Sequence, residues 1–140
     1  MLPAFAHTEN SELAALVTGT PQKDRQLSDR YRVNAYNYED MECAFEKEHI
    51  DALYIATPNS LHREHTERGA HAGVHVLCEK PMAPTESDCE AMIQAAEENN
   101  VKLMFAHRLH FNDANLQFVR VDESGELGQP RYFGSLWVSR

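Results

Sequence analysis

Positive charge is what this chain has least of. Thirteen Lys and Arg stand against 22 Asp and Glu, a formal net charge of -9 over 140 residues. No basic stripe is available to neutralise phosphates, so a nucleic acid is not expected as a partner. The same balance disfavours an anionic membrane surface. Long apolar runs are missing too: none reaches the ~18 residues of a membrane span, so no transmembrane helix is expected. Met1 to Asn10 carry neither a basic stretch nor an apolar core of secretory length, and the expected location is the cytoplasm. Cys43, Cys78 and Cys89 fit no zinc or thioredoxin-like spacing, and an odd number argues against a full disulfide framework. They are expected as reduced, mostly buried thiols. Glycine is scarce as well: there are six, and none lies in a GxGxxG arrangement.

What is present suits one globular domain. Hydrophobic residues make up 42% and charged residues 25%, enough apolar material for a core. Four short runs are nearly continuous in apolar residues: 13–17, 52–56, 74–77 and 103–106. Runs of this kind fit strands of a parallel sheet buried on both faces. Between them lie helix-like segments. Pro21 to Tyr31 has Thr20 as a candidate N-cap and Pro21 at the first helical position. Tyr38 to Glu48 and Ser60 to His71 follow, the latter ending near Gly73. Glu86 to Asn99 carries the strongest pattern, with Thr85 and Asp88 at capping-box-like spacing and an apolar stripe of Cys89, Met92, Ile93 and Ala96. Strands alternating with helices predict an α/β Rossmann-type parallel sheet with flanking helices. Ligands of such sheets bind outside the carboxyl ends of the strands. Those ends carry Thr18-Gly19-Thr20, Thr57-Pro58-Asn59, Cys78-Glu79-Lys80-Pro81 and His107-Arg108. After His107 the pattern changes. Asn112 to Glu123 predicts a helix with Gly125 near its end, Gly128-Gln129-Pro130 a turn, and Arg131 to Ser139 a strand rich in aromatics (Tyr132, Phe133, Trp137). One helix and one strand cannot bury a core alone, so this tail reads as the first piece of something larger.

Two stretches carry a family likeness. Tyr54-Ile55-Ala56-Thr57-Pro58-Asn59-Ser60-Leu61-His62 is followed by Gly73-Val74-His75-Val76-Leu77-Cys78-Glu79-Lys80-Pro81. Together they resemble the Gfo/Idh/MocA family of NAD(P)-dependent oxidoreductases, and within it the glucose-fructose oxidoreductase-like branch. Ala106 to Phe111, Asn115 and Gly125-Glu126-Leu127-Gly128 fit the same likeness, which covers nearly the whole chain. The resemblance implies an N-terminal Rossmann domain (residues 1–110 here) and a C-terminal α+β substrate and oligomerisation domain, of which 111–140 would be the linker helix and first strand. It implies NADP or NAD as cofactor, hydride transfer to or from a hydroxyl-bearing carbon of a sugar or polyol, and a homo-oligomer in the full-length form. Lys80 matches the catalytic lysine, and Glu79 and Pro81 shape its turn. Thr57, Pro58, Asn59 and His62 match positions on the ribose and pyrophosphate side of the cofactor. Arg108 matches the nicotinamide end. Met1 to Ala6 resembles the family's first helix, so its first strand and Gly-rich loop are expected to lie outside this chain.

The residues keep several readings open. A cation at a strand end can stabilise charge developing on a substrate oxygen, and a buried setting would tune Lys80 as a proton shuttle. From Glu-Lys-Pro alone a surface lysine before a turn proline is the commoner case. Lys80-Pro81 can be cis, although trans has the higher base rate. Thr18, Gly19, Thr20 and Lys23 offer small hydroxyls and a cation with no acid at the strand end, which suits a 2′-phosphate and so favours NADP; Thr20 can simply cap the helix. His62 with His65, and His71 with His75, have metal-like spacing but no completing ligand, and separate roles are favoured. Without a Gly-rich loop, weak dinucleotide binding is expected of these residues alone. A non-catalytic protein of the same fold that senses a nucleotide or sugar is the alternative function.

Overall fold

The computed structural model describes residues 2–132 and 134, apart from the side chains of Ala4, Ala6 and Arg108. Its contacts divide the chain into two units, Met1–Ala106 and His107–Arg140.

The first unit is built on parallel strands with helical crossovers. After a 3-10 helix at Leu2–His7 come β1 (Ala15–Val17), α1 (Pro21–Tyr31), β2 (Asn34–Tyr36), a 3-10 turn at Tyr38–Asp40 leading into α2 (Met41–Lys47), and β3 (Ala52–Ile55). A second 3-10 turn, Asn59–Leu61, leads into α3 (His62–His71), followed by β4 (His75–Cys78), α4 (Glu86–Glu98) and β5 (Leu103–Phe105). All pairing among the described residues is parallel, as the continuous apolar runs predict. β1 pairs with β2, and β3, β4 and β5 form a separate ladder in that order. The expected α/β fold with flanking helices is therefore present, as two short parallel ladders.

Four departures from the sequence reading have local causes. β2 was not expected, because Asn34-Ala35-Tyr36 is a three-residue strand with an exposed Asn in place of an apolar run. The strands are not buried on both faces: in β3 only Ile55 is buried, and in β4 Val76 and Cys78 alternate with more exposed neighbours. Thr20 occupies the N-cap position of α1 with extended backbone, but its side chain caps nothing. On α4 the buried face is Met92, Ala95 and Ala96, whereas Ile93 is 46% exposed. Met92, Ala95 and Ala96, spaced i, i+3 and i+4, make that face, and Ile93 points away from it. Thr85 does cap α4, its hydroxyl accepting from Asp88 N–H at 3.2 Å and donating to the Asp88 carboxylate at 2.6 Å.

Two apolar clusters hold the unit. Ile55, Val76, Cys78 and Met92 form one, with Leu53, Leu103 and Phe105 packed against it. Met41, Phe45 and Val74 form the other, with Val17, Tyr38, Ile50 and Leu53 against it. Leu53 belongs to both. Gly69 brings α3 close to this sheet: a Cβ there would meet Val76 Cγ2 at 3.2 Å and Leu53 Cδ2 at 3.3 Å. Cys78 is buried, while Cys43 and Cys89 are only partly so, and all three are free thiols. The second unit holds a 3-10 helix at Arg108–Phe111 and α5 (Asp113–Glu123), capped by the Asn112 side chain on Ala114 N–H. The strand expected at 131–139 falls largely on residues outside the description, Phe133 and Trp137 among them; Arg131 and Tyr132 have no regular structure.

Thr66 of α3 is fully buried, and its hydroxyl has no hydrogen-bond partner among the described residues. Burying an unsatisfied hydroxyl costs about 1–3 kcal/mol. Thr66→Val keeps the shape and removes the polar atom. It should raise unfolding stability by ~1 kcal/mol, and urea denaturation that shows a loss of stability would contradict this account.

Candidate active site

The site is assembled at the carboxyl ends of β1, β3 and β4. After β1, Thr18 Oγ1 donates to Asp24 Oδ1 at 2.5 Å and accepts the Thr20 N–H at 3.2 Å. This folds the first turn of α1 back onto the strand end. It also corrects the sequence reading that no acid lies there: Asp24 is six residues on in sequence, but the helical turn returns its carboxylate to Thr18. Gly19 and Thr20 are exposed, as is Lys23.

A line of contacts runs from this loop across the other strand ends. Gly19 lies against Tyr38, so close that a Cβ would fall 2.7 Å from the ring. Tyr38 packs on His65, ring centroids 5.0 Å apart. His65 Nδ1 is 3.4 Å from Thr57 Oγ1, and burial holds this imidazole below its ordinary pKa. The Thr57 carbonyl faces His62 Nε2 at 3.0 Å. His62 Nδ1, on the other side of the ring, faces the carbonyls of Pro81 at 2.9 Å and Met82 at 3.2 Å. His62 is 1% exposed and His65 3%, so both work inside the protein. His62 therefore joins two turns rather than opening towards solvent. Pro58 and Asn59, by contrast, are exposed beyond β3.

The Lys80 turn leaves β4 through Glu79. Glu79 Oε1 accepts from the Tyr54 hydroxyl at 2.5 Å, and its other oxygen accepts the Lys80 N–H at 3.2 Å. The Lys80-Pro81 bond is cis, the less common of the two isomers left open by the sequence. Lys80 is exposed, so the buried setting that would tune it as a proton shuttle is not present. The turn runs out past the strand end, and its ammonium enters no ion pair among the described residues, so it is free to meet a ligand. Arg108 lies in the second unit, and its side chain is outside the description. The structure thus gathers Thr18, Gly19, Thr20, Thr57, Pro58, Asn59, His62, Glu79 and Lys80 in one unit. It adds Asp24, Tyr38, Tyr54 and His65, which sequence reasoning missed. The helical spacing of His62 and His65 was visible, but it had been weighed only as a metal pattern; among the described residues no group of three such side chains could hold a metal.

These residues suit a dinucleotide only in part. Exposed hydroxyls and amides at the ends of β1 and β3 suit ribose and amide groups, and a free ammonium suits a reacting oxygen. The pyrophosphate is the part that does not fit, since no Gly-rich turn occurs in the sequence and Gly19 precedes Pro21, which lacks an N–H to offer at the start of α1.

Residues 1–107 match the model of the oxidoreductase family with an NAD-binding Rossmann fold, and the chain belongs to this family. Its relatives include the D-xylose 1-dehydrogenase [NADP(+)] of Haloarcula marismortui, 31% identical over 94% of this chain and 37% of that protein. The scyllo-inositol 2-dehydrogenase (NADP(+)) of Bacillus subtilis is 34% identical over 79% of this chain and 33% of that protein. Among solved structures, aldose-aldose oxidoreductase from Caulobacter crescentus, complexed with glycerol, superposes with a TM-score of 0.85 at 45% identity, over 90% of this chain and 38% of that one. The WlbA dehydrogenase from Bordetella pertussis, in complex with NADH and UDP-GlcNAcA, gives 0.79 at 30% identity, over 91% of this chain and 36% of that one. The chain spans about a third of the length of these relatives.

The Tyr54–Glu79 bond has a measurable signature. The Tyr54 hydroxyl, foremost, holds the Glu79 carboxyl below its usual range, with the Lys80 N–H helping and burial opposing. Burial first, then Glu79, pushes Tyr54 up to about 12. The sign follows for each. A lowered carboxyl favours the fold above the ordinary carboxylate range, and this is lost as pH falls through the lowered value. A raised phenol favours the fold below its ordinary value, and this is lost as pH rises towards about 12. Tyr54→Phe should move the Glu79 titration upwards, read by carboxyl carbon NMR; an unmoved midpoint would show that Tyr54 is not the cause.

Proposed function

We propose that this chain forms the cofactor-binding part of an NAD(P)-dependent oxidoreductase that acts on a hydroxyl-bearing carbon of a sugar or polyol, with Lys80 as catalytic residue. The observation that carries this reading is the free, exposed Lys80 ammonium beyond β4, on a turn fixed from both sides by Glu79 and His62. A bound nicotinamide supplies or accepts the hydride. Lys80 then donates a hydrogen bond to the substrate oxygen and stabilises the negative charge that gathers there. Glu79 stays with Tyr54 and the Lys80 N–H and so shapes the turn. Thr57, Pro58 and Asn59 contact the ribose side, and Arg108 the nicotinamide end. At the end of β1, Lys23 attracts a 2′-phosphate while Asp24 repels it and suits a ribose hydroxyl, so either NADP or NAD is accepted. The Gly-rich grip on pyrophosphate comes from a further strand, for which β1 and β3 each have an edge without a ladder partner among the described residues. Residues 1–110 form the cofactor domain and 111–140 begin the substrate and oligomerisation domain. The full-length form is a cytoplasmic homo-oligomer with neither nucleic acid nor membrane as partner; no described helix is long and apolar enough to cross a membrane.

Two measurements test this. Calorimetric titration of this chain with NADPH should give binding weaker than low-micromolar, because the pyrophosphate grip is missing; tight binding would overturn that part. In the full-length protein, Lys80→Met should lower kcat for NAD(P)-linked oxidation of aldoses or polyols by roughly 10²–10⁴-fold. An unchanged rate would rule out Lys80 as the catalytic group.

A further inference from the structure

His62 is nearly inaccessible, and each of its ring nitrogens faces only backbone carbonyl oxygens: Thr57 on one side, Pro81 and Met82 on the other. A carbonyl can only accept. A neutral imidazole carries one N–H and one lone pair, so it can satisfy one side alone. Its lone pair would then face a carbonyl at hydrogen-bond distance, with burial leaving no room for solvent to intervene. Only the ring with both nitrogens protonated donates in both directions. Among the neighbouring groups, Glu79 after β4 offers a compensating carboxylate, whereas Lys80 and the buried His65, one turn on along α3, do not. Arg63, next in sequence, is engaged with Glu67 and Asp88.

We propose that His62 is a positioning residue for Lys80, a proton-dependent clasp that fastens the Lys80-Pro81 turn to the Thr57 turn when both ring nitrogens carry hydrogen. The inference rests on Lys80 being the catalytic group only for its functional meaning; the clasp itself is a property of the folded chain. With both protons present, the two turns move as one body, and the ammonium of Lys80 projects from a fixed base. When the ring loses a proton, one attachment goes. The remaining N–H can hold one turn only; where it stays on Nε2, facing Thr57, the Lys80 turn is tethered through Glu79 alone.

The test is nitrogen NMR of the histidine-labelled chain across pH, together with amide exchange at Lys80 and Met82. At low pH within the folded range, both His62 ring nitrogens should be of the protonated type. As pH rises, one should become pyridine-like, and the Lys80 and Met82 amide signals should shift with the same midpoint. Their exchange, corrected for its intrinsic pH dependence, should quicken by roughly tenfold with the loss of one charge-assisted hydrogen bond. His62→Gln offers donors at one end only and should abolish the pH dependence at both amides. His65→Gln should leave it in place, which separates the two rings. A pyridine-like His62 nitrogen throughout the folded range would overturn the proposal, as would Lys80 and Met82 amides that ignore the ring's titration. If His62→Gln does not fold, the wild-type ring and amide titrations decide alone. None of these readouts needs cofactor or turnover, so a failed Lys80→Met test would leave the clasp standing, and the reverse.

Discussion

Parallel pairing is the constraint on which the rest depends. A parallel ladder puts the carboxyl ends of its strands at one edge, and each strand must be reached through a helical crossover. The residues at that edge are therefore far apart in sequence and held on separate turns: Thr18 after β1, Thr57 after β3, Glu79 after β4. Ladder hydrogen bonds stop where the strands stop. The last of them here, Glu79 N–H to Ile55 O and Ala106 N–H to Cys78 O, leave the turns beyond to be fixed by something else. In this chain side chains do that work. The contacts from Gly19 through Tyr38, His65, Thr57 and His62 to Pro81 form a cross-tie just outside the ladders. Tyr54 and Glu79 brace the same turn from the side.

How much of this was legible in the sequence depended on the range of the interaction. Local signals served well. Proline at the start of α1, Thr85 before α4 and Asn112 before α5 marked helix starts, and Gly73 and Gly125 fall after the helices with positive φ. The apolar runs placed β1, β3, β4 and β5. Signals that need the third dimension were hidden. Asp24 sits inside a helix in sequence, yet its carboxylate belongs to the β1 end. β2 lacks the apolar run that announces a strand, because its pairing with β1 and the bond from the Tyr36 hydroxyl to Glu48, 2.5 Å long, do the work that burial would do. His62 was placed by family resemblance near the cofactor, and nothing in its immediate sequence says that its ring faces inwards. The motif was readable as a motif; the direction in which each side chain points was not.

The separation of the two ladders bears on what this unit can do. Val17 of β1 and Leu53 of β3 pack against the same cluster around Met41 and Phe45, yet β1 and β3 exchange no ladder bonds. The two ladders are thus joined by apolar burial and by the Tyr38–His65 contact, both of which tolerate small shifts far better than a hydrogen-bonded ladder does. Unpaired strand edges also carry backbone groups that seek partners. A site spread over both ladders then inherits two levels of rigidity. The β3–β4 side, with Thr57, Glu79 and Lys80, is fixed by ladder bonds, His62 and Tyr54 together. The β1 side, with Thr18, Gly19 and Lys23, is held by packing through Tyr38 and by the short local bonds to Asp24. The Lys80 turn therefore sits on the half held by ladder bonds, while the Thr18-Gly19-Thr20 turn sits on the half joined to it by apolar packing and the Tyr38–His65 contact.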